Sequence, residues 1–145
     1  MAEMIPEGQG RLHYIVAAAP AMGMEHMIQQ PARTRWRIIT FQSMLITDVA
    51  AGNRIPYLNV VHDVNVYALW SPSQSIAASE TFTFGWHGGA QPAAITGEHA
   101  RVAPLAPGYL MNDESYIATL TTALDASDQW GLGLLLVEEW IEPLA

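Results

Sequence analysis

The apolar positions of this chain recur with a period of two. In Thr81-Phe82-Thr83-Phe84-Gly85-Trp86 the three aromatic rings fall on one side and the threonines on the other, the pattern of a half-buried strand. Thr34 to Thr47 is rich in β-branched and aromatic residues and carries no Gly or Pro, so it predicts one long strand. Asp48 to Asn53 follows with Gly52-Asn53, a turn chemistry suited to positive φ, and Arg54 to His62 returns to an apolar run. Together they predict a hairpin over Arg35 to Asp63. Asn65 to Trp70 is a further strand, stopped by Ser71-Pro72-Ser73.

The flanks extend this sheet. Leu12 to Ala17 reads as a first strand ended by Pro20. Met22, Met24, Met27 and Ile28 fit either a short helix with Glu25 and His26 outward or an extended arm; methionine adapts to irregular surfaces, so an arm that packs on a partner is expected. His87 to Ala100 reads as a long irregular stretch with Gly88-Gly89, Pro92 and Gly97. Arg101 to Leu105 is a strand near an edge because of Pro104, Pro107-Gly108 is a turn, and Tyr109 to Met111 follows. Tyr116 to Leu124 is another strand, and after the turn at Asp125 to Gln129 the last runs from Trp130 to Ile141. In that strand Leu132, Leu134 and Leu136 share one side, and Leu135 and Val137 the other. About eight or nine short strands separated by turn signals mean an all-β sandwich or barrel, with a jelly roll first and an immunoglobulin-like sandwich as the alternative. The expected division is an N-terminal strand and arm over 1–31 and a β-sandwich domain over 32–145.

Composition changes this picture in two ways. Hydrophobic residues make up 50% of the 145, but charged ones only 14%, fewer than an ordinary soluble surface carries. A sandwich needs apolar residues only on its inner faces, so apolar residues on both sides of Leu132 to Val137 imply cover from another chain. Leu135 and Val137, with Ile39 and Phe41, are read here as the outward, interface-forming set. The net charge of −8 argues against a nucleic-acid partner, and no apolar run is long enough to span a bilayer. The six cations are all arginine. Arg33, Arg35 and Arg37 would form a stripe on one strand face and pair with carboxylates of a neighbouring strand or subunit.

Candidate chemistry is sparse. Without cysteine there is no disulfide scaffold and no thiol catalysis. The chain has no Gly-x-Ser-x-Gly elbow, phosphate loop or dinucleotide fingerprint. Jelly-roll enzymes of the cupin type hold metal with a His-x-His pair, and no two of His13, His26, His62, His87 and His99 lie two apart. His62-Asp63 and Glu98-His99 are the nearest approaches. Asp113/Glu114 and Glu138/Glu139 are carboxylate pairs, but on a strand Glu138 and Glu139 point to opposite faces and make poor acid–base partners. Trp36, Trp70, Trp86, Trp130 and Trp140 suit sugar stacking, but each sits in or at the end of a strand, where packing is the commoner use. The residues predict no enzyme, no cofactor and no metal site.

Five segments carry a resemblance: Arg35-Trp36-Arg37-Ile38-Ile39, Thr47 to Arg54, Ser71 to Ser75, Asp128-Gln129-Trp130-Gly131, and Val137-Glu138-Glu139-Trp140-Ile141. Over Pro31 to Glu142 the chain resembles small virion proteins of tailed bacteriophages. The resemblance implies a non-enzymatic β-sandwich, foremost a capsid decoration (cement) protein made in the host cytoplasm and carried on the capsid surface. Its partners would be the major capsid protein and, in a homotrimer, itself, with no nucleic acid or membrane. A tail or head–tail connector component, or a glycan- or receptor-binding module, is the alternative. The interface candidates are Met22, Met24, Met27, Ile28, Arg33, Arg35, Arg37, Leu135 and Val137.

Overall fold

The computed structural model describes residues 9–72, 75–88, 93–95, 99–106, 109–111 and 114–141. The described strands are β1 (Arg11–Ala17), β2 (Met27–Gln29), β3 (Thr34–Ile46), β4 (Pro56–His62), β5 (Asn65–Trp70), β6 (Thr81–Gly88), β7 (Ala93–Ile95), β8 (Ala100–Leu105), β9 (Leu110–Met111), β10 (Tyr116–Thr121), β11 (Gln129–Trp130) and β12 (Gly133–Ile141). They form two sheets, as expected of an all-β sandwich. The larger runs β1-β12-β3-β6-β8-β7, with β9 and β11 also on β3; the smaller runs β2-β10-β4-β5. Ser73, Gln74, Gly89, Pro92, Gly97, Glu98, Pro107, Gly108 and Asp113, all invoked above, lie outside the described residues.

The principal pairs nest. β1 pairs with β12, β2 with β10, β3 with β6 and β4 with β5, every pair antiparallel. Two further antiparallel pairs, β12 with β3 and β10 with β4, join these ribbons, and β8 extends the larger sheet by pairing parallel with β6 and antiparallel with β7. The predicted Arg35–Asp63 hairpin is therefore not formed: β3 and β4 lie in different sheets. The Asp48–Asn53 turn carries the chain across the sandwich, and Arg54 pins the crossing in an isolated bridge with Ile76. The stretch His87–Ala100 is less irregular than expected, since β6 continues to Gly88 and Ala93–Ile95 pairs with β8. Among the described residues β7 pairs with β8 only as far as Val102, so no described pairing on that side calls for an N–H from Pro104.

The core lies between the sheets. Trp36, Phe41, Leu45, Phe84, Trp86, Leu135 and Val137 from the larger sheet meet Ile28, Leu58, Val60 and Ile117 from the smaller, all buried. Trp86 Nε1 donates to Trp70 O at 3.3 Å, tying the sheets together. The expected burial of Trp36 (1% exposed) and Trp130 (0%) is observed. The inward phase of Phe82, Phe84 and Trp86 is also as read.

Two readings of phase are corrected. Leu135 (2% exposed), Val137 (0%) and Phe41 (0%) point into this chain's own core, and Leu132 and Leu134 are the outward residues. The alternation is right and the side is inverted, because both sides are apolar. On β3 the phase changes at Ile39, where the register with β12 shifts: Val137 pairs with Ile38 and Leu136 with Thr40. Trp36 and Ile38 face inward before that bulge, and Phe41, Ser43 and Leu45 after it.

The N-terminal region also differs from expectation. Met27–Gln29 is not helical and folds back on its own sandwich as β2, with Ile28 opposite Ile117 and buried. β1 and β2 are thus edge strands of the two sheets, built into the sandwich and not set apart from it.

Candidate functional site

Three buried polar clusters and one apolar face stand out. The first cluster is centred on Arg54, which is fully buried. Its Nε and Nη2 donate to Asp128 Oδ2 and Oδ1 at 2.9 and 3.1 Å, and Nη2 also reaches Asp48 Oδ1 at 2.9 Å. Nη1 donates to Ala50 O and Gly52 O at 2.9 and 2.6 Å, so all five guanidinium donors are used. Asp128 accepts two further bonds from the backbone amides of Asp48 and Asp125. Burial pushes the Asp128 carboxyl up, but the Arg54 bond, the two amides and the guanidinium charge outweigh it and hold the group below the ordinary range. Asp48 moves the other way: partial burial raises it against the pull of the Ala50 amide, and crowding by Asp125 and Asp128 adds to the rise.

The second cluster joins the ends of β3 and β12. Trp36 Nε1 donates to Glu139 Oε2 at 2.8 Å, and Arg11 Nη2 to Glu139 Oε1 at 2.5 Å. Burial raises the Glu139 carboxyl, and these two bonds with the nearby His13 and Arg11 charges bring it below its ordinary value. Glu138 instead takes the Gly10 amide at 2.8 Å and the Arg37 guanidinium, which also lies 5.6 Å from the Trp140 ring centroid. Glu138 and Glu139 reach different partners, in keeping with the expectation that they point to opposite faces, and Arg37 pairs with a carboxylate of a neighbouring strand as expected. Arg33 is not part of a strand stripe: its φ of 62° places it in the turn before β3, while Arg35 is buried.

The third cluster lies between the sheets and was not read from the sequence, where Glu25 and His26 were placed outward. The Glu25 carboxylate accepts from Thr119 Oγ1 (2.5 Å), Thr121 N (2.6 Å), Thr121 Oγ1 (3.2 Å) and Trp130 Nε1 (3.0 Å). His26, only 2% exposed, shares a 3.0 Å hydrogen bond between Nε2 and Ser43 Oγ. Its ring packs on Phe41 and Trp130 with centroids 5.6 and 5.7 Å away. Burial lowers the His26 pKa, against the opposing effect of the Gly131 carbonyl and the Glu25 charge. A histidine beside a serine invites a nucleophile reading. Here Ser43 is itself buried and donates to Gly131 O at 3.3 Å, and the Glu25 oxygens already hold four donors. The arrangement fastens β2 to β3, β10 and β11.

His62 and Asp63, adjacent in sequence, stand 3.6 Å apart, with Asp63 in a left-handed turn at φ 55°. Among the described residues no three His, Asp or Glu side chains converge as metal ligands. No described helix is long and apolar enough to cross a membrane. Comparison with family models, curated proteins and solved structures finds no match to this chain.

The remaining feature is the outer face of the larger sheet. The pairing places Tyr14 beside Leu136, which sits beside Thr40; in the next row Val16 adjoins Leu134 and then Gln42, followed by Met44. Tyr14 is 74% exposed, Val16 66%, Leu132 57% and Leu134 48%. Two shallow grooves of 270 and 350 Å³ indent this face on either side of Leu134. Sequence reasoning foresaw an uncovered apolar face but chose the wrong residues for it. Of the interface candidates, Met22, Met24 and Met27 are exposed, while Ile28, Leu135 and Val137 lie within the fold.

Proposed function

We propose that this chain is a structural protein of a virion, foremost a capsid decoration protein that binds the assembled major capsid lattice and works as a homotrimer. The observation that carries the reading is the division of labour in the described residues. The polar clusters of Arg54 with Asp128, Trp36 with Glu139 and Trp130 with Glu25 are bonded within the fold, while a sheet face of Tyr14, Val16, Leu132 and Leu134 is left exposed. Such a face fits assembly with macromolecules.

The strand order supports a jelly roll as the form of the sandwich. If β7, β8, β9 and β11 are set aside and β1, β2, β3, β4, β5, β6, β10 and β12 are counted one to eight, their pairs are one with eight, two with seven, three with six and four with five. That is a long antiparallel ribbon rolled up on itself, the double Greek key of jelly-roll shells. The fold alone carries no function. The segments behind the virion resemblance add weight because they meet in space: Thr47–Arg54 joins Asp128 through Arg54, and Arg35–Ile39 joins Val137–Ile141 through Trp36 and Arg37.

A glycan-binding role has less behind it, since Trp36, Trp86 and Trp130 are buried and the half-buried Trp70 and Trp140 rings pack on Tyr109 and Arg37. The test is to heat purified particles with and without the protein. A decoration role requires earlier shell failure in its absence, because a protein that binds only the assembled lattice stabilises it by mass action. Equal heat resistance would refute it.

A further inference from the structure

The geometry points to a second copy of this chain as the occupant of the outer face of β1, β12 and β3. This deepens the self-association in the reading above by naming the surface. Beside Met22, Met24 and Met27, which lie in and just before the short edge strand β2, two apolar strand regions compete for the role. On β5, Val66, Tyr67 and Leu69 are all more than half exposed, but β5 is the edge strand of the smaller sheet and its register with β4 shifts at Tyr67, so it offers an irregular edge and not a continuous face. On the larger sheet Tyr14, Val16, Leu134, Leu132, Met44 and Ile46 all project from the same side.

Size and charge both select a like partner. From their fractional exposures, those six side chains and Leu12 present roughly 800 Å², about the share that each partner contributes to a standard-size interface. None of the seven is charged, on a chain whose net charge is −8. A basic partner would gain most by meeting exposed carboxylates, and the carboxylate beside these residues, Glu138, is buried and already paired with Arg37. Two copies gain most by meeting where charge is absent, which keeps their acidic surfaces apart. Glu138 and Arg37 occupy the same cross-strand row as Leu12, at the end of the apolar patch. A closed rotation axis then covers the face without open-ended growth.

The occupant predicts a distinctive salt response. Contacts between apolar faces of like-charged molecules tighten as salt screens the repulsion, whereas contacts between opposite charges loosen. The experiment is sedimentation-equilibrium mass on the full chain, on Leu134→Asp and on Val66→Asp, at low and high salt. Tyr14→Ser, at a more exposed position, serves if Leu134→Asp does not fold, with folding judged by circular dichroism. The expected result is an oligomeric wild type that does not dissociate at high salt, a folded Leu134→Asp or Tyr14→Ser with association weakened by about a hundredfold, and an unchanged Val66→Asp. A monomeric wild type, folded face variants of unchanged mass, or dissociation by Val66→Asp instead would overturn the assignment. The virion reading fails separately: it fails if the chain is absent from particles, whatever its mass in solution.

Discussion

Replacing Arg54 by Met tests how much one buried ion pair contributes to this sandwich. The side chain is fully buried, its five donors reach Asp128, Asp48, Ala50 O and Gly52 O, and it fastens the turn where the chain crosses between sheets. Methionine keeps much of the volume and removes the charge. Asp128 would remain buried with only the Asp48 and Asp125 amides as partners. Breaking one side of a buried pair costs about 3–5 kcal/mol. The two surviving amide bonds, and the exposed position of Gly52, place this case near the lower end, at about 3 kcal/mol. For a domain of this size that lowers Tm by roughly 10 °C. The assay is urea denaturation with a thermal scan, on Arg54→Met, Asp128→Leu and the double variant. The double variant should recover part of the loss, because it leaves no stranded charge. Strict additivity of the two single effects, or a loss under about 1 kcal/mol for Arg54→Met, would refute the view that this pair acts as one buried unit.

Three other outcomes follow from the same geometry. Because burial holds His26 below its ordinary value, the unfolded chain takes up its proton first; stability should be full above about pH 6.5 and fall as pH drops through the lowered folded value. His26→Gln should flatten that part of a stability–pH curve, and an unchanged slope would count against it. Gly23 has φ +74°, and a Cβ there would lie 2.8 Å from Ala126 O, so Gly23→Ala should destabilise by about 1–3 kcal/mol in chemical denaturation, with no loss disproving the strain. Trp130→Ala should cost about 3–5 kcal/mol in the same measurement, since it empties a buried site and removes a donor from Glu25; a cost within 1 kcal/mol would show that the site collapses freely.

What was legible in the sequence was local. Period-two alternation located most strands, and the Phe82, Phe84, Trp86 set declared its own inward side because its alternate positions are threonine and glycine. Leu132 to Val137 gave the alternation but not the side, since both faces are apolar, and burial decides only once β1 and β3 are in place. The bulge at Ile39 has no local signal, because the residues around it suit a strand in either phase. Gly52-Asn53 announced a turn without saying whether the chain would pair back or cross to the other sheet. The deciding contact, Arg54 with Asp128, spans 74 positions. Glu25 and His26 looked like surface residues for the same reason: their partners Thr119, Thr121, Ser43 and Trp130 come from distant strands.

The central claim, that the chain is built into a virion, is most directly tested by a cryo-EM map of purified particles from infected cells at side-chain resolution. The account predicts density for this two-sheet sandwich on the outside of the head, in copies clustered about local threefold positions, each with Tyr14, Val16 and Leu134 turned toward another copy. A head whose density is fully explained by other chains, with this one confined to the soluble fraction of the cells, would contradict it.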